Sequence, residues 1–199
     1  MLPDADLALA MRSAIFAGTI VVHEDVTEEF LALLQSEVSK LKTTNNSGSK
    51  FRGLVAPAAA NRLHGLTKDA LDQSARIVAG ELSVDHNLMQ PIVLDYLAHE
   101  MDICKQVVFG PVVLVKKFQS DQEAIEVAND TKYELAACVY GKDVAVRING
   151  TALSPQTFTP LGGTKKSSYG VFNGEYGIRE FTWPKVITIV ENAQYSSWG

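Results

Sequence analysis

The feature that most constrains this chain is an alternation of short, uninterrupted apolar runs with longer stretches whose apolar residues recur every three or four positions. Ile20-Val21-Val22, Ile77-Val78-Ala79, Pro91-Ile92-Val93-Leu94 and Val112-Val113-Leu114-Val115 are the short runs. A run that is apolar at every position reads as a strand covered on both faces, as in a parallel sheet layered with helices. Between the runs lie the helices. Residues 6–17 place Leu7, Met11, Ala14 and Ile15 on one face, with Asp4 and Asp6 as caps and Gly18 as a stop. Asp25 followed by Glu28 spells a capping box for a helix that buries Phe30, Leu34, Val38 and Leu41. After the polar loop Asn45-Asn46-Ser47-Gly48-Ser49, a helix from about Ala58 to Ser74 presents Leu63, Leu66 and Ala70. Ser120 with Glu123 opens another, carrying Ala124, Ile125, Val127 and Ala128, and Leu135 to Tyr140 returns to strand character. Such alternation specifies an α/β layer structure. From about Leu153 the composition turns to Gly, Ser, Thr and Pro, and Val186-Ile187-Thr188-Ile189-Val190 supplies a last strand.

Composition removes several classes of function. With 46% hydrophobic and 21% charged residues in 199, the chain is neither collagen-like, disordered nor disulfide-stapled. Its 18 basic against 23 acidic residues give a net charge of −5, and the Lys pairs at 116–117 and 165–166 read as solvated edges, so no nucleic-acid partner is expected. No stretch reaches the roughly 18 apolar residues of a membrane span, and the acidic start Met-Leu-Pro-Asp-Ala-Asp is unlike a secretory signal, which points to a cytoplasmic location. Cys104 and Cys138 read as small buried apolar residues, and His23, His64, His86 and His99 lack ligand spacing, so no metal site is expected. The segment Gly162-Gly163-Thr164-Lys165-Lys166-Ser167 invites a phosphate-loop reading. It fails on spacing, because Thr164 stands where a glycine must precede the lysine.

A set of motifs in a fixed order carries a more specific signal. These are Ala5-Asp6-Leu7-Ala8-Leu9-Ala10, Val22-His23-Glu24, Pro91 to Asp95, Val108-Phe109-Gly110-Pro111-Val112, Ala128-Asn129-Asp130-Thr131, Ile148-Asn149-Gly150, Pro160-Leu161-Gly162-Gly163-Thr164-Lys165 and Gly177-Ile178-Arg179-Glu180-Phe181-Thr182. Together they resemble the aldehyde dehydrogenase superfamily, within it the salicylaldehyde or vanillin dehydrogenase type. The resemblance implies the C-terminal part of such an enzyme. Residues 1–184 would form a truncated catalytic domain with a parallel-type sheet, and residues 185–199 an oligomerisation strand and tail through which two copies pair.

The departures from the family pattern bear on function. The resemblance implies an N-terminal Rossmann-type domain that binds NAD(P) and carries the oxyanion asparagine and the glutamate base, and this sequence does not include it. It implies a catalytic cysteine in a Gly-Gln-x-Cys stretch before the Val-His-Glu strand, whereas here Phe16-Ala17-Gly18-Thr19 runs directly into Ile20. A glutamate that holds a cofactor ribose is Val107, and an isopropyl group accepts no hydrogen bond. The resemblance also implies a helix of roughly a dozen residues between the strand near Cys138 and Ile148-Asn149-Gly150, whereas here Gly141 to Arg147 spans that gap, so the sheet connection must be rerouted.

What the resemblance leaves of a substrate pocket is apolar: Phe16, Phe109, Phe158 and Leu161, with Tyr133, Asn149, Lys165, Tyr169 and Glu175 as polar candidates. No cofactor is expected. The expectation is a dehydrogenase derivative that binds a small apolar metabolite as a homodimer and catalyses a non-redox step such as cyclisation, isomerisation or dehydration, by restraint and hydrogen bonding. Two alternatives stand beside it: a noncatalytic protein pairing with itself or with a full-length aldehyde dehydrogenase, and residual NAD-dependent aldehyde oxidation.

Overall fold

The computed structural model describes residues 1–5, 7, 18–45, 52–141, 145–148 as backbone, 160–183 and 185. Its centre is a four-stranded sheet in the order β1 (Thr19–His23), β6 (Val112–Phe118), β5 (Ile92–Asp95), β2 (Arg76–Gly80). β1, β6 and β5 are parallel, as continuous apolar runs require, with Thr19 opposite Leu114 and Ile92 opposite Val112. β2 departs from that expectation and pairs antiparallel with β5, shifting register between Ile77 and Ala79.

Helices cover both faces. α1 (Glu24–Val38) packs Phe30, Leu31, Leu34 and Val38 against Val22, Val93, Val113 and Val115. α2 (Pro57–Asp72) packs Leu63, Leu66 and Ala70 on the side that carries Ile92, Leu94, Val112 and Leu114. Odd and even positions of β5 and β6 thus enter different cores, the period of two that a pleated strand imposes. Leu7, helical and buried, joins the first core, while the rest of the helix expected over 6–17 lies outside the described residues.

Local chemistry corrects several boundaries. α1 begins after His23, whose ring Nδ1 accepts from the Asp25 amide at 3.3 Å, so the cap is His23 and not the expected Asp25. Leu41 lies past the helix end and is only half-buried. Between β2 and β5 sits a hairpin of β3 (Val84–Asp85) and β4 (Leu88–Met89), and α3 (Asp102–Lys105) follows β5, neither of them anticipated. α4 (Asp121–Asn129) has the expected cap, Ser120 accepting from the Glu123 amide at 3.3 Å, yet it buries none of its residues.

Beyond α4 the chain forms short elements. β7 (Tyr133–Glu134) pairs with β11 (Thr164–Lys165), and β8 (Ala137–Tyr140) with β9 (Ala145–Ile148). The second pair is antiparallel, with Tyr140 opposite Ala145. Parallel pairing would need a crossover of a dozen or more residues, which the chain does not have there. β10 (Leu161–Gly162) pairs with β12 (Val171–Phe172), and α5 (Gly174–Glu180) follows, a helix inside the stretch expected to be irregular. The strand expected over Val186 to Val190 lies outside the described residues. Among the described residues no helix is long and apolar enough to cross a membrane.

Candidate functional site

β12, the turn after it and α5 build the larger concave surface. Leu161 pairs with Phe172, and the chain turns into α5 at Asn173, whose backbone lies at φ 68° and ψ 155°, outside the left-handed helical well and in a region that residues other than glycine rarely adopt. Asn173 is the N-cap of α5, but its side chain makes no capping hydrogen bond. Gly177 is buried where the helix meets the strand. A Cβ there would lie 3.0 Å from the carbonyl carbon of Phe172, so only glycine lets α5 settle on β12 without displacement. The result is an open hollow of about 680 Å³ lined by Phe172, Gly177, Ile178 and Phe181, with Asn173, Gly174 and Thr182 at its ends.

No residue lining the hollow is titratable, so its walls supply packing and, from Asn173 and Thr182, uncharged hydrogen-bonding groups. Charge sits on the exposed side of α5, where Glu175 and Arg179 form an ion pair one turn apart. A neutral, apolar guest suits such a surface better than an anion. A second, smaller depression of about 250 Å³ lies at His99, Glu126, Val127 and Asp130, with His99 Nε2 2.7 Å from Asp130 Oδ2. Among the described residues no group of His, Cys, Asp and Glu is arranged to hold a metal ion.

The residues expected from the sequence fall into separate places. Leu161 and Glu175 belong to the elements around the larger hollow, through the β10–β12 pairing and α5. Tyr133 and Lys165 stand opposite each other in the β7–β11 pair, with Lys165 Nζ 3.8 Å from Glu134 and 3.4 Å from the Thr131 carbonyl. Tyr169 is fully exposed, and Phe109, before β6, is 77% exposed. Phe16, Asn149 and Phe158 lie outside the described residues. Asn173, Ile178, Phe181 and Thr182 were not anticipated as lining residues. The crowding of Tyr169, Phe172, Tyr176, Phe181 and Trp183 into one short segment was the signal for them.

Cysteine chemistry is distributed as follows. Cys104 on α3 is half-buried, and burial pushes its thiol up, a shift that nearby Lys116 opposes. A thiol held protonated is a poor nucleophile. Cys138 on β8 is exposed, contrary to the buried role expected for it. β1 begins at Thr19 directly after the bend at Gly18, and the sequence that leads into it, Phe16-Ala17-Gly18, holds no cysteine. At Val107 the backbone carbonyl accepts from Arg62 Nη2 at 3.3 Å, and the neighbouring Gln106 side chain lies 3.4 Å from Arg62 Nη1. The Val107 side chain itself accepts no hydrogen bond.

Comparison with known proteins places this arrangement. The model of the aldehyde dehydrogenase family matches residues 2–187. A salicylaldehyde dehydrogenase from Pseudomonas sp. strain C18 is 31% identical over 217 residues, 95% of this chain and 45% of that protein. A vanillin dehydrogenase from Pseudomonas sp. strain HR199 is 31% identical over 215 residues, 95% of this chain and 44% of that protein. The crystal structure of a salicylaldehyde dehydrogenase from Pseudomonas putida G7 complexed with salicylaldehyde superposes with a TM-score of 0.87 at 30% identity, covering 98% of this chain and 46% of that one. Matched stretches of 215 and 217 residues exceed the 199 residues of this chain, so the relatives carry internal residues that it lacks. With the layered sheet, the order of motifs and the family match running over nearly all its length, the chain belongs to the aldehyde dehydrogenase family, and it spans less than half the length of these curated relatives.

Proposed function

We propose that this chain is an aldehyde dehydrogenase derivative that does not oxidise aldehydes through the family's covalent route, and that it binds a small apolar molecule and promotes a cofactor-independent, non-redox step such as cyclisation, isomerisation or dehydration, in the cytoplasm. The observation that supports the reading best is in the sequence, where the segment that runs into β1 at Thr19 holds no cysteine to form a thiohemiacetal. Val107, in place of a ribose-holding carboxylate, supports it. Restraint of a flexible guest against Phe172, Ile178 and Phe181 suits a rearrangement that needs orientation more than proton transfer. Leu161 and Glu175 flank that surface, and Phe16, Phe109, Tyr133, Asn149, Phe158, Lys165 and Tyr169 remain candidates for the rest of the site. Pairing of two copies through Val186 to Val190 is part of the same reading.

A second reading, a noncatalytic partner of a full-length aldehyde dehydrogenase, draws on Ile125 of α4, Leu135 just after β7 and Val139 of β8, which are apolar and exposed. The test is direct. The purified chain is incubated with salicylaldehyde and NAD⁺, and NADH formation is followed. A separate aliquot, exposed to a cell extract, is examined by native mass spectrometry. No NADH together with a retained apolar metabolite is the expected result. Sustained aldehyde oxidation would overturn the proposal, and capture of an intact dehydrogenase subunit with no small molecule would replace it with the second reading.

A further inference from the structure

An asparagine followed by glycine can rearrange without a catalyst, because glycine has no side chain to keep its amide nitrogen away from the asparagine's side-chain carbonyl. Asn173-Gly174 is such a pair, and both residues line the larger hollow. The other described asparagines, Asn45, Asn61, Asn87 and Asn129, precede Asn46, Arg62, Leu88 and Asp130. Asn87 and Asn129 also donate from their side-chain amides, to the Leu54 carbonyl at 2.7 Å and the Ile125 carbonyl at 2.8 Å. Among the described residues the Asn173 side chain has no hydrogen-bond partner. Its backbone stands at φ 68° and ψ 155°, and Gly174 follows at φ 58°. A side-chain-bearing residue in that region is strained, and a change in the main chain there releases the strain. Gly174 opens α5, where the first amides have no carbonyl behind them in the helix, so the helix ladder does not hold its N–H.

From this placement we infer that Asn173 is a site of spontaneous modification, and that its conversion puts a carboxylate into a hollow whose lining otherwise carries no charge. The Gly174 amide nitrogen gives its proton to water and bonds to the side-chain carbonyl carbon of Asn173. The bond from that carbon to Nδ2 breaks, and the nitrogen takes up a proton and leaves as ammonia. Water then opens the five-membered succinimide at one of its two carbonyls, giving aspartate or isoaspartate. One water is consumed and one ammonia released, with nothing oxidised or reduced. Aspartate changes the charge alone. Isoaspartate also routes the main chain through the former side chain, one methylene longer between β12 and α5, where a Cβ on Gly177 would already lie 3.0 Å from the Phe172 carbonyl carbon. Either product sets an anion beside Phe172, Ile178 and Phe181. An apolar guest offers a carboxylate no partner, and covering it costs its hydration. The hollow therefore loses affinity for neutral, apolar molecules as the chain ages. That last step rests on the proposed function, whereas the conversion rests on Asn173 and Gly174.

The test holds the full chain at pH 8 and samples it daily, beside a free peptide of residues 171–176 as the unrestrained reference. Peptide mass spectrometry reads conversion at each asparagine, isoaspartyl methyltransferase reads isoaspartate, circular dichroism reads the fold, and titration with the neutral dye Nile red reads the hollow. Asn173 is expected to convert within tenfold of the peptide's rate while Asn87 and Asn129 persist, and dye affinity should fall at least fivefold in step. Asn173→Asp should bind the dye weakly from the start. Asn173→Gly suits the positive φ and cannot cyclise, so it should keep its own starting affinity throughout. That variant also separates Asn173 from Asn149, which precedes Gly150 and lies outside the described residues. Conversion slower than the tenfold limit overturns the inference, as does conversion that leaves dye affinity where it was, or an equal loss in aged Asn173→Gly. A fresh chain that binds no dye removes the proposed function, and conversion of Asn173 in that chain still upholds the modification.

Discussion

At the scale of single residues, the structure is most exacting where backbone or charge has no alternative. Gly80 ends β2 at φ +80°, and a Cβ there would lie 1.9 Å from the Pro91 carbonyl oxygen. Gly80→Ala therefore combines a disfavoured backbone with a clash against main chain, and a loss of about 3 kcal/mol is expected in urea unfolding. Asp95 is fully buried at the end of β5 and is held by Arg76, Nε to Oδ1 at 3.1 Å and Nη2 to Oδ2 at 2.7 Å, while the guanidinium stacks on Tyr96 at 4.7 Å. Arg76→Met strands a carboxylate in the core, and its melting temperature should fall further than that of Arg76→Met/Asp95→Asn, where both partners are gone. Burial raises the Cys104 thiol, so less of it is thiolate at a given pH. At pH 8, iodoacetamide should modify exposed Cys138 at least tenfold faster than Cys104, as read by peptide mass spectrometry, and the gap should narrow as pH rises. The His23 cap was hidden from the sequence because histidine is not among the usual cap residues. Only the ring's placement beside the Asp25 amide reveals it.

Among elements, legibility followed burial. β5 and β6 announced themselves because each is pressed between two helices, so every position of Ile92 to Leu94 and Val112 to Val115 had to be apolar. The direction of β2 did not, since Ile77-Val78-Ala79 has the same pattern run either way and the turn residues that reverse it belong to the unanticipated β3–β4 hairpin. α5 went unread because seven residues containing Gly174 and Gly177 carry little helix propensity. Its place is fixed by packing on β12. α4 is the opposite case, written clearly by Ser120 and Glu123 but burying nothing. Ser120→Ala should cost about 1 kcal/mol locally, seen as faster amide exchange over residues 121–129, with the global melting temperature unchanged.

For the whole molecule, the layered core was read almost entirely from residues 18–118, and the candidate site much less so. Leu161 and Glu175 came close to the hollow because family motifs mark that segment, whereas Ile178 and Phe181 line it through a helix the pattern does not predict. The same division shows in how the chain closes on itself. β1 pairs with β6 by joining Thr19 to Leu114, a contact between distant parts of the chain, while β8 and β9 join across the few residues between Tyr140 and Ala145. Hairpins form in microseconds, and pairings that close long loops are slower by orders of magnitude. Replacing Val139 by Ala should accordingly leave the stopped-flow refolding rate unchanged, while Val113→Ala slows it. With β8 and β9 paired between positions so near in sequence, that closure is local and fast, and the pace of folding falls to the long-range joins of the central sheet.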